Sequence, residues 1–321
     1  MWGGSMVREA IRWLLSSLVL LFVVTVLTFV LVAMAPGDAA KAILNARSGG
    51  YTPQQYQEMR HLLGLDQSLP VQYWHWLDHL LHGSMGTDLF NGQPVTQALS
   101  SRIGPSLSII VATLVVSGVV GVALGIVSAQ RGGVLGRLVD VVSLGGLAVP
   151  NFWLALVLVE LFAVRLAAFP ATGYTSFGTD PSQWLRGLVL PVLTLSAGAV
   201  AFIAKQTRDA MSDVLSQEFV TMLRARGLST RSVVLKHALR NAAIPVVTLL
   251  GLLLVSLLGG TVVVEDIFAI PGLGQQAMTA SASHDLPMIE GVAFIFTVVV
   301  VVTNLVVDIS YRLLNPKVRA S

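Results

Sequence analysis

Three histidines offer the sharpest chemical pattern in this sequence. His75, His79 and His82 stand at i, i+4 and i+7 with Asp78 among them, so a helix would line up three imidazoles on one face at metal-ligand spacing. The same stretch carries Leu77, Leu80 and Leu81, an apolar face that needs burial, and histidines opposite such a face are ordinarily just solvated. Glu160 and Arg165 lie about one turn apart inside an apolar run, as a functional buried pair or as side chains at a membrane interface. Ser283, His284 and Asp285 have the residue types of a nucleophilic triad, but consecutive side chains do not take triad geometry, and no H-E-x-x-H occurs. No cysteine is present, which removes thiolate chemistry and disulfides. No glycine precedes a lysine, so the P-loop that cradles nucleotide phosphates is missing. The sequence therefore offers no catalytic residue and no cofactor site of its own; any ATP and Mg would be held by a partner.

The elements that position these residues are dictated by composition. Of 321 residues 54% are hydrophobic and 12% charged, against roughly 25% charged in a soluble domain. The net charge of +3 is not gathered with stacking aromatics, which argues against nucleic-acid binding. The apolar residues fall in long blocks, and a spanning helix needs about 20 of them because each advances about 1.5 Å through about 30 Å of hydrocarbon. Six spans are predicted: residues 13–35, about 106–130, about 140–164, about 187–207, about 241–264 and about 289–311. Unpaired backbone groups cannot face lipid, and strand-like alternation is absent, so an all-α integral membrane protein is expected rather than a barrel. The first apolar run exceeds the 7 to 15 residues of a signal-peptide core and ends at Pro36, so it reads as a retained span despite the small residues Ala33 and Ala35.

Lys and Arg set the expected orientation. Arg8, Arg12, Arg131, Arg137, Lys205, Arg208, Arg224, Arg226, Arg231, Lys236, Arg240, Arg312, Lys317 and Arg319 fall on one side of a six-span chain. Only Lys41, Arg47, Arg60, Arg102, Arg165 and Arg186 fall on the other, which puts both termini, residues 1–12 among them, in the cytoplasm. Residues 36–102 then form an extracytoplasmic segment, with an aromatic-rich helical run over residues 53–82 suited to lying on the membrane or the bundle; residues 103–321 form the core. Gly118, Gly121 and Gly125 make a small-residue stripe suited to close helix packing, and Pro150 would break the third span near its start and supply a hinge.

The cytoplasmic segment 208–240 is polar and basic, with Gly227 followed by Leu228, Ser229 and Thr230 dividing it into two helical pieces, as a C-terminal cap and a new N-cap would. Simple positive-inside anchoring explains its charges but not its helix, break and helix. Here the sequence resembles the permease subunits of bacterial ATP-binding-cassette importers, whose cytoplasmic loop ends in an Ala-x-Gly turn followed by a Leu-Arg-Asn-Ala-x-x-Pro run; the matching residues are Ala225, Gly227, Leu239, Arg240, Asn241, Ala242 and Pro245. The resemblance covers nearly the whole chain and is strongest to the first permease of the dipeptide and oligopeptide importers, a group that includes nickel and glutathione transporters. Its other pieces are Ala35, Pro36, Gly37 and Asp38; Leu63 to Asp66 with Gln72, Tyr73, Trp76 and Leu77; Pro150 with Phe152 to Leu154; Glu265 to Phe268; Pro271 to Gly274; Asp285 to Pro287; and Asn304, Leu305, Asp308 and Tyr311. It departs in having Met222 and Leu223 where the family has a small pair, and Asn315, Pro316 and Lys317 at the close.

The resemblance implies a type I importer permease fold of six helices whose coupling helix, at Met222, Leu223, Arg224, Ala225, Arg226, Gly227, Leu228 and Ser229, sits in a groove on an ATPase. It implies a second homologous permease chain forming a heterodimer, two ATPase subunits, an extracytoplasmic solute-binding protein and a bacterial inner membrane. Pro150, Glu265, Pro271, Gly272 and Gly274 are the candidate gate and turn residues, with Gly272 and Gly274 also readable as a plain chain reversal. The competing function, an ion-gradient-driven secondary transporter, needs ionisable groups in mid-span, whereas Asp140, Glu160 and Asp308 fall near span ends.

Overall fold

The computed structural model describes residues 3–34, 37–131 and 133–314, and the chain folds as two compact units, Met1–Gly104 with Gly272–Val301 and Pro105–Pro271 with Val302–Ser321. The motif residues Ala35, Pro36, Asn315, Pro316 and Lys317 lie outside the described residues. Among those described, the only β-pairing is an isolated bridge between Thr87 and Pro94; the rest of the regular structure is helical.

The first unit begins with α1 (Gly3–Met34). After Gly37 comes α2 (Ala39–Ser48), whose N-cap Asp38 accepts from the Lys41 N–H and whose end is set by Gly49 at φ 65°. The run predicted as one helix over residues 53–82 is two: α3 (Pro53–Leu62) and α4 (Leu69–Leu81). Gly64 in the left-handed region at φ 66° and Pro70 in the first turn of α4 end one helix and start the next. Thr52 and Gln55 close a reciprocal capping box at the start of α3. α4 docks on α1 through Tyr73, whose hydroxyl lies 3.0 Å from Thr25 Oγ1 and whose ring meets Phe22 and Phe29 edge-on at 6.2 and 5.5 Å. The unit's core joins Val95 and Leu99, at the start of α5 (Val95–Arg131), to Leu273 and Ala280 of α12 (Leu273–Ser283) and Met288 and Val292 of α13 (Leu286–Leu314).

The second unit contains α5 from Pro105 onward, α6 (Gly133–Ala148), α7 (Asn151–Leu158) with a π-helical extension Val159–Arg165, and α8 (Pro181–Leu215). It continues through α9 (Glu218–Ala225), α10 (Thr230–Ser232), a π segment Val233–Ala238 and α11 (Leu239–Ile267). α8 is its hub, packed against α6, α7 and α11. Asp180 starts α8 by accepting from the Ser182 and Gln183 N–H groups at 2.9 and 3.1 Å. The glycine stripe of α5 divides in function: a Cβ on Gly121 would lie 2.8 Å from Ile203 Cβ and one on Gly125 2.6 Å from Thr207 Cβ, whereas Gly118 meets only Leu250 at 3.5 Å.

Five helices among the described residues are long and apolar enough to cross a membrane: Leu14–Met34, Val95–Arg131, Pro181–Leu215, Thr230–Ile267 and Leu286–Ser310. The expected six-helix count differs at the third span. Pro150, with no N–H to give and ψ at 133°, interrupts that stretch and becomes the N-cap of α7. The 16 residues of α6 rise about 24 Å, short of the hydrocarbon thickness, so any crossing here is composite.

Candidate functional site

The segment singled out for coupling is built from α9 and the turn after it. α9 is amphipathic: Val220 is fully buried and Phe219 packs against a cluster of Met211, Val214, Val234, Ala238 and Ala242, while Met222 is 57% exposed. That anchoring holds the helix at one face and leaves the other free. Its end is a Schellman cap, with the Gly227 N–H donating to the Arg224 carbonyl at 2.9 Å and the Leu228 N–H to the Leu223 carbonyl at 3.3 Å. Gly227 takes φ 81°, which an L side chain adopts at a cost, yet a Cβ there would meet nothing within 4 Å. Ser229 then caps the next helical turn by accepting from the Ser232 N–H. Met222, Arg224, Ala225, Arg226, Gly227 and Ser229 are exposed together, with Leu223 and Leu228 half-buried beneath. The second helical piece runs through the π segment into α11 without a break at Pro245, and Asn241 Nδ2 donates to the His237 carbonyl at 2.9 Å there.

The gate and turn candidates are not one cluster. Glu265 is completely buried and accepts a 2.6 Å hydrogen bond from Ser106 Oγ, a partner that no motif or spacing singles out. The end of α11 is a second Schellman cap, in which the Ala269 N–H donates to the Asp266 carbonyl at 3.1 Å and the Ile270 N–H to the Glu265 carbonyl at 2.8 Å. The left-handed residue of that turn is Ala269 at φ 49°, not a glycine. Gly272 is extended and caps α12, and Gly274 is a buried helical residue, so the expectation that these glycines make the chain reversal is corrected. Pro271, exposed, follows the Ala269 turn. Pro150 stands apart as the break before α7.

The histidine face does not assemble. His82 lies just past the end of α4 and its Nδ1 is 2.8 Å from the Asp78 carbonyl oxygen; His75, His79 and His82 are exposed, and among the described residues no group of three His, Asp or Glu side chains is arranged to hold a metal. Glu160 and Arg165 pair at 2.9 Å with side chains 54% and 70% exposed, as an interface position requires. Ser283 donates to the Thr279 carbonyl, Asp285 accepts from the Leu89 and Met288 N–H groups, and His284 packs on the backbone of Gly37, so the three point apart.

Asp285 and Asp66, elsewhere in the first unit, are perturbed carboxylates. Asp285 is buried beside Asp88; burial, opposed by its two backbone donors and reinforced by the Asp88 carboxylate, pushes it up to about 6. His61 Nδ1 and Asp66 Oδ2 lie 2.7 Å apart, and the hydrogen bond raises the imidazole and lowers the carboxyl.

Comparison with known proteins agrees with the helical architecture. The family described as binding-protein-dependent transport system inner membrane component is matched over residues 121–320, and the N-terminal component of such systems over residues 6–100. A probable peptide ABC transporter permease of Sinorhizobium fredii is 36% identical over 310 residues, 96% of this chain and 98% of the relative. A putative peptide transport system permease of Brucella abortus is 38% identical over 300 residues, 93% of this chain and 95% of the relative. The glutathione transport system permease GsiC of Escherichia coli is 36% identical over 315 residues, 98% and 99% of the two chains. In fold, a chain of the MetNI methionine ABC transporter in an inward-facing conformation matches with a TM-score of 0.54 at 17% identity, over 68% of this chain and 97% of that one. These matches set aside the gradient-driven carrier. The chain belongs to the binding-protein-dependent transport system inner membrane component family, the multi-pass inner-membrane permeases that work with ATPase and substrate-binding partners in ATP-binding-cassette importers.

Proposed function

We propose that this permease forms one half of a translocation pathway for di- or oligopeptides or a related solute, and that Met222 to Ser229 is its docking element for an ATPase subunit. The observation that carries the docking role is the exposed Schellman turn at Gly227 on a helix whose Phe219 packs on a cluster from α8, the π segment and α11. A turn so held passes movement of a bound partner to α8 and α11 rather than absorbing it. The solute class rests on the peptide and glutathione permeases that resemble the chain over nearly its full length. In this reading the other half is a second, homologous but different permease, two ATPase subunits bind all the ATP and Mg, and an extracytoplasmic protein delivers the solute. Both termini are cytoplasmic, by the charge asymmetry. The chain performs no chemistry; Glu265, Pro271, Gly272, Gly274 and the Pro150 break contribute to gating.

The test is ATP-dependent uptake of a labelled dipeptide by membrane vesicles. Gly227→Trp should abolish uptake while membrane insertion persists, because the side chain has room within this chain but projects from the docking surface. Gly227→Asn keeps a residue tolerant of the left-handed region and should retain more uptake. Normal uptake by Gly227→Trp would remove the docking role.

A further inference from the structure

A cavity of about 400 Å³ in the first unit has Phe29, His75, Trp76, His79 and Glu290 in its wall. Two of these carry polar groups with nothing to bond. Glu290, in the second turn of α13, is 5% exposed, and among the described residues no donor or cation lies against its carboxyl group. Trp76 is 8% exposed, and its indole Nε1 is buried without a hydrogen-bond partner. A buried acceptor without a donor is costly, and Glu290 belongs to the wall of this space. The aromatic part of the wall is held firm, since Phe29 and Trp76 both pack on Tyr73, with ring centroids 5.5 and 5.9 Å from it.

We propose that this cavity binds a small primary ammonium ion. Its N–H groups would donate to the Glu290 carboxylate, and the rings of Trp76 and Phe29 would offer their negative faces to its charge. A metal ion fits less well, because His75, His79 and Glu290 do not form a ligand set among the described residues. A quaternary ammonium would leave Glu290 without a donor. The proposal does not depend on which solute the permease carries.

The test uses the full chain, purified in mild detergent with whatever partners accompany it, and titration calorimetry at neutral pH with n-butylammonium chloride. Sodium chloride, tetramethylammonium chloride and n-butanol serve as comparisons. The expected result is saturable binding of n-butylammonium, weaker by about tenfold or more in Glu290→Gln, as loss of a charge-assisted hydrogen bond requires. Tetramethylammonium should bind more weakly, and n-butanol should not bind measurably. If Glu290→Gln does not fold, Trp76→Leu, which removes a ring face, should weaken binding several-fold at unchanged helical content. The proposal is overturned by absence of saturable binding in the parent chain, by equal affinity in a folded Glu290→Gln, or by n-butanol binding as well as the amine.

Discussion

Replacing Gly125 by alanine should destabilise the second unit more than its single methyl group suggests. A Cβ there would sit 2.6 Å from Thr207 Cβ and 2.7 Å from the Ala204 carbonyl oxygen, and the second of these is backbone. Ordinary contact needs close to 3.5 Å or more, so α8 must retreat by about 1 Å or the helices must part, and overpacking of this kind costs about 1–3 kcal/mol. Gly118→Ala, on the same helix, is the control. Its methyl would meet Leu250 Cδ2 at 3.5 Å, an ordinary contact, and alanine gains up to about 1 kcal/mol in helix propensity over glycine. Gly125→Ala gains the same propensity, so the two variants should differ by the overpacking cost alone, about 1–3 kcal/mol in unfolding free energy. Thermal or denaturant unfolding in detergent, followed by intrinsic tryptophan fluorescence, measures the difference. Equal stability of Gly118→Ala and Gly125→Ala would refute the claim that the glycine stripe is a helix-packing surface whose tight contacts begin at Gly121.

Two further perturbations follow from buried carboxyl groups. Ser106→Ala removes the 2.6 Å donor to the fully buried Glu265 and should cost about 1–3 kcal/mol, read as a lowered unfolding temperature; an unchanged temperature would show that the bond contributes nothing. Asp285 is raised from 3.8 to about 6, so the folded state favours its protonated form. Its contribution to stability is complete below about pH 4 and is lost as pH rises through about 6. Unfolding temperatures between pH 4.5 and 7.5 should show this loss in the parent chain and a flatter profile in Asp285→Asn, and identical profiles would contradict it.

Much of the helical skeleton was legible because a bilayer permits so few backbone solutions: uninterrupted apolar runs around residues 106–130 and 241–264 had no alternative to a helix. The break at Pro150 was legible too, since proline lacks an N–H, but its effect on the span count was not, because composition alone does not tell a kinked helix from two short ones. In the coupling segment, Gly227 followed by Ser229 announced a cap and a restart, and both caps are present. The chain reversal near Pro271 was misread because glycine is the usual left-handed residue; at Ala269 the cap's two hydrogen bonds outweigh the strain of a Cβ. The Ser106–Glu265 bond and the Asp88–Asp285 pair join residues far apart in the chain, and nothing in local spacing points to them. The histidines of α4 had metal-ligand spacing, but spacing along one helix does not supply the convergence of ligands from other elements that a metal needs.

Crosslinking asks whether Met222 to Ser229 docks an ATPase. The chain has no cysteine, so Met222→Cys introduces a single thiol at a position 57% exposed. With a thiol-to-amine crosslinker in native membranes, one adduct is expected between this chain and a Walker-motif ATPase, stronger than from a cysteine placed at exposed Trp74. A Met222→Cys chain that inserts normally, supports uptake and reacts freely with a small thiol reagent, yet gives no ATPase adduct with crosslinkers of any length, would contradict it.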